Sequence, residues 1–255
     1  AMLLWLIEKH PRPRAGEGEQ AMIKRGEGAC LVCGKPIVYY ESAREMECVF
    51  CHRRFKSRAA CEDGHYVCDQ CHEKQGIEVI MEICRTTSGR DPVAIMQEIM
   101  QSPYIYMHGP EHHVMVGAAL IAAYHNSGGN VELEPALEKM RERGGECPGG
   151  TCGMWGCCGA AVSCGMFISI ILGATPLSGK EWGMANRMTS RALAAIGALG
   201  GPRCCKRDSF TAAKEAVGFV KEELGVEMEL GAPIKCDFSP ENPQCIRAAC
   251  PYYKG

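Results

Sequence analysis

The chain has 255 residues, with 28 basic and 30 acidic side chains and a formal net charge of -2. That balance gives no overall attraction for nucleic acid or for an anionic membrane surface. Hydrophobic residues make up 46 % and suffice for a sizeable core, in one large domain or two small ones, while 18 cysteines depart sharply from average usage.

Residues 2–7 (MLLWLI) form a short apolar run followed by Glu8 and Lys9. The run is too brief for a signal-peptide core or a membrane span. Residues 8–29 are rich in Pro, Gly and charge, so 1–29 reads as an N-terminal arm or linker. The cysteines fall into CxxC and CC units rather than scattered staples, which predicts a reducing, cytoplasmic setting.

Residues 30–75 read as a two-zinc Cys-rich module. Cys30, Cys33, Cys48, Cys51, Cys61, His65, Cys68 and Cys71 supply eight ligands, the number two tetrahedral zinc ions require. Sequential pairing puts Cys30, Cys33, Cys48 and Cys51 on one ion. Interleaved pairing gives Cys30, Cys33, Cys61 and His65 to one ion and Cys48, Cys51, Cys68 and Cys71 to the other. The segment Cys61-Glu-Asp-Gly-His65-Tyr-Val-Cys68-Asp-Gln-Cys71 resembles the matching run of RING-type cross-braced domains, and that resemblance favours interleaving without implying ubiquitin chemistry. With every position filled by protein, the ions read as structural rather than catalytic. Val38-Tyr39-Tyr40 predicts a short strand. His52 and His72 are spare ligands expected at the surface. The basic run His52–Arg58 reads either as a phosphate contact or as a solvated loop.

From residue 76 to 255 the pattern is that of an all-α domain, so the fold class is mainly α. Ile77, Ile80, Met81 and Cys84 keep helical spacing; Asp91-Pro92 is a cap followed by a first helical residue. A strongly apolar helix opens at Pro110-Glu111 and stops near Gly128-Gly129. A short polar helix spans 135–143. Residues 158–172 are apolar on every face, which predicts a central buried helix too short to cross a bilayer. Helices over about 181–199 and 209–224 follow, the second capped by Ser209 and stopped by Gly225.

Ten further cysteines lie beyond Cys84. Cys147, Cys152, Cys157 and Cys158 sit in a Gly-rich loop, Cys204 and Cys205 follow Gly200-Gly-Pro-Arg, and Cys236, Cys245 and Cys250 occupy a Pro-rich irregular tail. Helix N-termini with Lys206 and Arg207 nearby are expected to lower thiol pKa. Thiolates beside glycine suit an iron–sulfur cluster, although the spacing matches neither ferredoxin pattern; redox dithiols and ordinary thiols are the other readings. Cys152, Cys157, Cys158, Cys204 and Cys205 are expected to converge as the reactive set, with Cys147, Cys236, Cys245 and Cys250 binding a cofactor. The tail lacks periodic apolar residues, so its cysteines are expected to order it through metal or disulfide. Cys84 and Cys164 read as core thiols. His112 and His113 are candidate catalytic bases or metal ligands that must diverge by about 100° around their helix. Trp155, Trp182 and Asn186 are candidates to line the same space.

The CxxC…GHYVCDQCH module, the HGPEHH helix start, the GGTCGMWGCCGAAVSCG loop-helix and the GGPRCCKRDSF segment resemble an uncharacterised Cys-rich family of anaerobic bacteria and methanogenic archaea. Its members stand alone or are attached to radical-SAM or methyltransferase domains. The resemblance implies anaerobic metal- or thiol-dependent work beside such a partner. Two functions follow as expectations: redox or sulfur chemistry at a Cys-rich site holding an iron–sulfur cluster or dithiol, or a non-enzymatic zinc adaptor for a protein or RNA.

Overall fold

The computed structural model describes residues 30, 32, 33, 35–231 and 233–255; the expected arm over 1–29 lies outside them. Two antiparallel strands come first, β1 (Ile37–Glu47) and β2 (Arg54–Cys61), with Ile37 opposite Cys61 and Met46 opposite Phe55. The expected Val38–Tyr40 strand lies inside β1. Most of the basic run is strand β2 rather than loop. Its side chains alternate, with Arg54, Lys56 and Arg58 outward and Phe55 and Ser57 turned in, a period-2 pattern that the charge run masks. Glu45 faces Lys56 and Glu47 faces Arg54 across the pair, so opposite charges meet.

Eight α-helices follow among the described residues: α1 (Asp69–Thr86), α2 (Pro92–Met100), α3 (Glu111–Asn126), α4 (Leu133–Gly145), α5 (Thr151–Met154), α6 (Gly159–Ile171), α7 (Lys180–Leu199) and α8 (Cys205–Leu224). The architecture is mainly α. Helix α1 starts before the apolar periodicity does, because its first two turns carry Cys71, His72 and Glu73 and only later turns bring Ile80, Met81 and Cys84 to the core. The boundary expected near residue 75 therefore falls within one unbroken helix. Asp91 caps α2 as its sequence predicts, its Oδ1 accepting from Val93 N at 2.8 Å.

Helix α3 is the axis of the body. Every residue from Glu111 to Tyr124 is buried, and α1, α2, α4, α6 and α8 all pack on it. Helix α6 is mostly buried, as expected, while Val162, Met166 and Ser169 line an open groove with Arg143 and Asn186. Cys84 and Cys164 are wholly buried, as expected of core thiols. Among the described residues no helix is long and apolar enough to cross a membrane.

Helix α8 begins four residues before the expected Ser209. Cys204 is its N-cap, its Sγ accepting from Arg207 N at 3.5 Å, and Ser209 lies fully buried inside the helix. A thiol is a weak capping group, and the charged turn that follows resembles loop in sequence. The tail is held by apolar anchors the periodicity does not show. Phe238 and Tyr252 are buried; Tyr252 meets Phe210 edge-on at 5.6 Å and its hydroxyl pairs with Thr211 Oγ1 at 3.0 Å.

Gly117 lets α3 approach α4 and α6. A Cβ there would strike the Met140 side chain and reach Ser163 Oγ at 2.9 Å. Ser163 Oγ accepts from Gly117 N at 2.8 Å and donates to His113 O, tying α6 to α3. Gly117→Val is expected to cost about 1–3 kcal/mol by overpacking, a fall of several degrees in Tm by thermal denaturation. An unchanged Tm would mean the three helices separate freely.

Candidate metal and thiol centres

Two ligand sets form at opposite ends of the β-hairpin. Cys30, Cys33, Cys61 and His65 make one and Cys48, Cys51, Cys68 and Cys71 the other, with all ligand atoms of each set within 4.8 Å of one another. The pairing is interleaved, and the hairpin explains why. Antiparallel pairing brings the chain before β1 beside Cys61 at the end of β2, while Cys48 and Cys51 flank the turn at the far end. A bridge between Cys48 and Tyr66, with Val49 N donating to Tyr66 O at 2.9 Å, then draws Cys68 to the second set.

The residues fit tetrahedral ions. Cys33 and Cys61 sulfurs lie 3.4 Å apart and Cys51 and Cys68 sulfurs 3.7 Å, against about 3.8 Å for thiolates on one zinc. Backbone N–H groups of Val32, Asp63 and Cys68 each point at a ligand sulfur at 3.4 Å. His65 Nδ1 is buried without a protein partner, as a ligating nitrogen is. Burial and crowding by neighbouring thiols push Cys68 and Cys71 up, whereas the Arg53 amide and guanidinium hold Cys51 down at about 6.

A buried polar chain leads from the second set into the helical body. His72, next to the ligand Cys71, is turned inward rather than exposed: its ring packs on Tyr106 at 4.5 Å and its Nδ1 lies 4.0 Å from Glu111 Oε2. Glu111 is wholly buried, and its Oε1 accepts from Tyr106 N at 3.1 Å and lies 3.3 Å from His112 Nδ1. His112 Nδ1 also faces Gly109 O at 3.1 Å, and its Nε2 stands 3.2 Å from Lys206 Nζ. Two acceptors at Nδ1 assign the proton there, leaving Nε2 to accept from Lys206. Burial, then the Lys206 charge, lowers the His112 pKa and keeps the ring neutral; burial alone would raise Glu111, but the His112 hydrogen bond holds it low. His52 is exposed, beside Glu47 at 3.3 Å.

His113 points elsewhere, as consecutive helical positions must. Its Nδ1 pairs with Cys147 O at 2.9 Å, and its ring rests where a Cβ on Gly159 would stand. Of the expected reactive set, Cys158 lies with its Sγ 4.0 Å from Asp208 Oδ2, and Asp208 also acts on Cys204 and Cys205. Cys152 lies near Cys158, and Cys157 near Cys147. Cys204 also lines a small cavity, of about 20 Å3, with Cys236, Cys245 and Cys250. Trp155 and Trp182 lie on the surface, 69 % and 52 % exposed, and line neither space.

The thiols of α8 are not lowered as expected. Burial pushes Cys204 up to about 11, Cys205 to about 12 and Cys158 to about 12. The nearby cations are committed elsewhere, Lys206 to His112 and Tyr106 O, Arg207 to Asp208 and the Gly200 and Pro202 carbonyls. Sequence reasoning missed Lys206, Arg207 and Asp208 as interior groups; the available signal was three adjacent charges opening an otherwise apolar-faced helix. Asn242, which donates to Cys204 Sγ at 3.5 Å, carried no signal.

His108 gives a pH test. Burial, then the Arg203 charge, pushes its pKa down to about 4, from about 6.5 in an unfolded chain. The unfolded state then binds a proton that the fold refuses, so stability present at neutral pH is lost as pH falls from about 6.5 through about 4. Replacing His108 by Gln is expected to flatten that part of the stability profile by up to one proton, measured by denaturant titration across pH. Identical slopes for both proteins would refute the assignment.

The comparisons with known proteins bear on the helical body. No curated protein and no solved structure matches the chain. A family model, described as a family of unknown function, DUF5714, matches residues 80–253. The match opens inside α1, past the last ligand of the two hairpin sets, and runs to the bridge partner of Cys236 in the tail. It spans α2 to α8, the Glu111–His112–Lys206 contacts and the cysteine-lined cavity, and by that match the chain belongs to the DUF5714 family.

Proposed function

We propose that the chain is a cytoplasmic zinc protein whose helical body performs or assists redox or sulfur chemistry. The two hairpin sets hold structural zinc, since four protein ligands per ion leave no position for substrate. The observation that carries the reading is the first turn of α8. Cys204, Lys206, Arg207 and Asp208 are buried there, and cysteines from the 147–158 loop and from the tail gather on it. Buried ionisable groups in one turn cost stability and concentrate at sites that do chemistry. A radical-SAM or methyltransferase protein of an anaerobe is the partner that fits such work.

A second reading rests on the hairpin. Val32, Val38, Tyr39 and Phe50 are exposed on the module, a set of apolar groups suited to docking a protein, or RNA bases with Arg54 and Lys56 beside them. In that case the module is an adaptor and the body binds a ligand without turning it over.

Anaerobic purification with metal analysis and redox titration separates the two. The first reading expects about two zinc per chain and a reversible redox response abolished by Cys204→Ser. A redox-silent protein with the same zinc would leave the adaptor. Cys68→Ser is expected to release one zinc and destabilise the hairpin, because metal binding there is folding free energy; retention of both ions would refute the ligand set.

A further inference from the structure

Four thiols that the sequence divides between two segments surround one cavity. Cys204 comes from the N-cap of α8, and Cys236, Cys245 and Cys250 come from the tail. All are free of disulfide bonds. The tail is folded to present them. Cys236 N donates to Tyr252 O at 2.7 Å, and Tyr252 is anchored on Thr211 and Phe210, so Cys236 and Cys250 are carried to the same end of α8. Cys245 follows the turn in which its N donates to Asn242 O at 3.0 Å.

Donors converge on the sulfurs. Cys204 Sγ accepts from Arg207 N and Asn242 Nδ2, both at 3.5 Å, and Cys245 Sγ accepts from Arg247 N at 3.3 Å. Arg207 lines the cavity and is 3 % exposed. Its Nε holds Asp208 and its Nη2 holds two carbonyls, but Nη1 is buried without a partner. A buried donor left unmet is unfavourable. An anionic group in the cavity would meet it, with the α8 N-terminus adding favourable field.

The donor set points to the class of group. In each hairpin set the ligand atoms lie within 4.8 Å; among the described residues only those two sets do, so no three of the cavity sulfurs meet that limit. One tetrahedral zinc needs its thiolates about 3.8 Å apart. Four thiols from two segments, lining one cavity with N–H donors on the sulfurs and an unmet Arg207 donor, match an anionic centre in which inorganic sulfide spans several metal ions. We propose that Cys204, Cys236, Cys245 and Cys250 are the ligands of an iron–sulfur cluster. This assignment rests on the redox reading above and names its cofactor. It gives the 152–158 cysteines no part in holding the cluster, since none of them lines the cavity.

The test uses the full chain purified anaerobically and reconstituted with ferrous iron, sulfide and a thiol reductant. About two or four iron per chain with matching acid-labile sulfide is expected, with visible absorbance bleached by dithionite and with the zinc retained. Cys236→Ser and Cys245→Ser are each expected to lose most of the iron while keeping the zinc and helical circular dichroism. A Cys152→Ser/Cys157→Ser double variant should keep the cluster. Because tail variants can misfold, alkylation of the wild-type protein supplies a second readout. Cys204, Cys236, Cys245 and Cys250 should be protected until iron is chelated, then react. Iron that survives the tail substitutions, or a third zinc in place of iron, overturns the cluster. A colourless protein that still shows a Cys204-dependent redox response overturns the cluster alone; one with neither iron nor redox response overturns the redox reading as well.

Discussion

Lys206, Arg207 and Asp208 lie buried in the first turn of α8, where an ionised group without partners costs several kcal/mol. Much of the surrounding structure answers that cost. Asp208 and the Gly200 and Pro202 carbonyls take up Arg207, and His112 Nε2 and Tyr106 O take up Lys206. His112 can accept only because Glu111 and Gly109 O fix its proton on Nδ1, and Glu111 stays ionised in turn through Tyr106 N and His112. The loop before α3, the start of α3 and the start of α8 are thereby held in one hydrogen-bonded arrangement. Where that arrangement leaves a donor unmet, at Arg207 Nη1, it does so beside the cysteine-lined cavity.

The hairpin module reaches the same arrangement from the other side. A pair of strands this small cannot bury a core of its own, and two ligand sets able to hold metal ions flank it. Cys71, in the first turn of α1, belongs to the second set, and His72 stands over Tyr106 toward Glu111. Asp69 adds a contact from Gly149 N at 3.4 Å, and Arg203 reaches Tyr39 Oη at 2.9 Å. The second ligand set is thus joined, through one continuous helix, to α3 and to the loops bearing the other cysteines.

Burial gives the thiols of the body a common character. Cys158, Cys204 and Cys205 are all pushed up, so at neutral pH each keeps its proton unless something cationic takes its place. Such cysteines are poor free nucleophiles at neutral pH.

The sequence by itself determined the eight hairpin ligands, the mainly helical body, the Asp91 cap, the Gly225 stop and the burial of Cys84 and Cys164. Each depends on local spacing or on apolar periodicity, which a chain carries wherever it folds. Spacing left the pairing of ligands open, and strand register decided it, because placing Ile37 opposite Cys61 sends Cys30 and Cys33 to His65. The inward turn of His72, the early start of α8 at Cys205 and the anchoring of the tail by Phe238 and Tyr252 needed the tertiary structure. So did the grouping of the later cysteines, with Cys158, Cys204 and Cys205 near Asp208 and Cys204 also joined to the tail. Those groupings join residues tens of positions apart, and no local pattern encodes which distant partner will satisfy a buried charge or share a cavity.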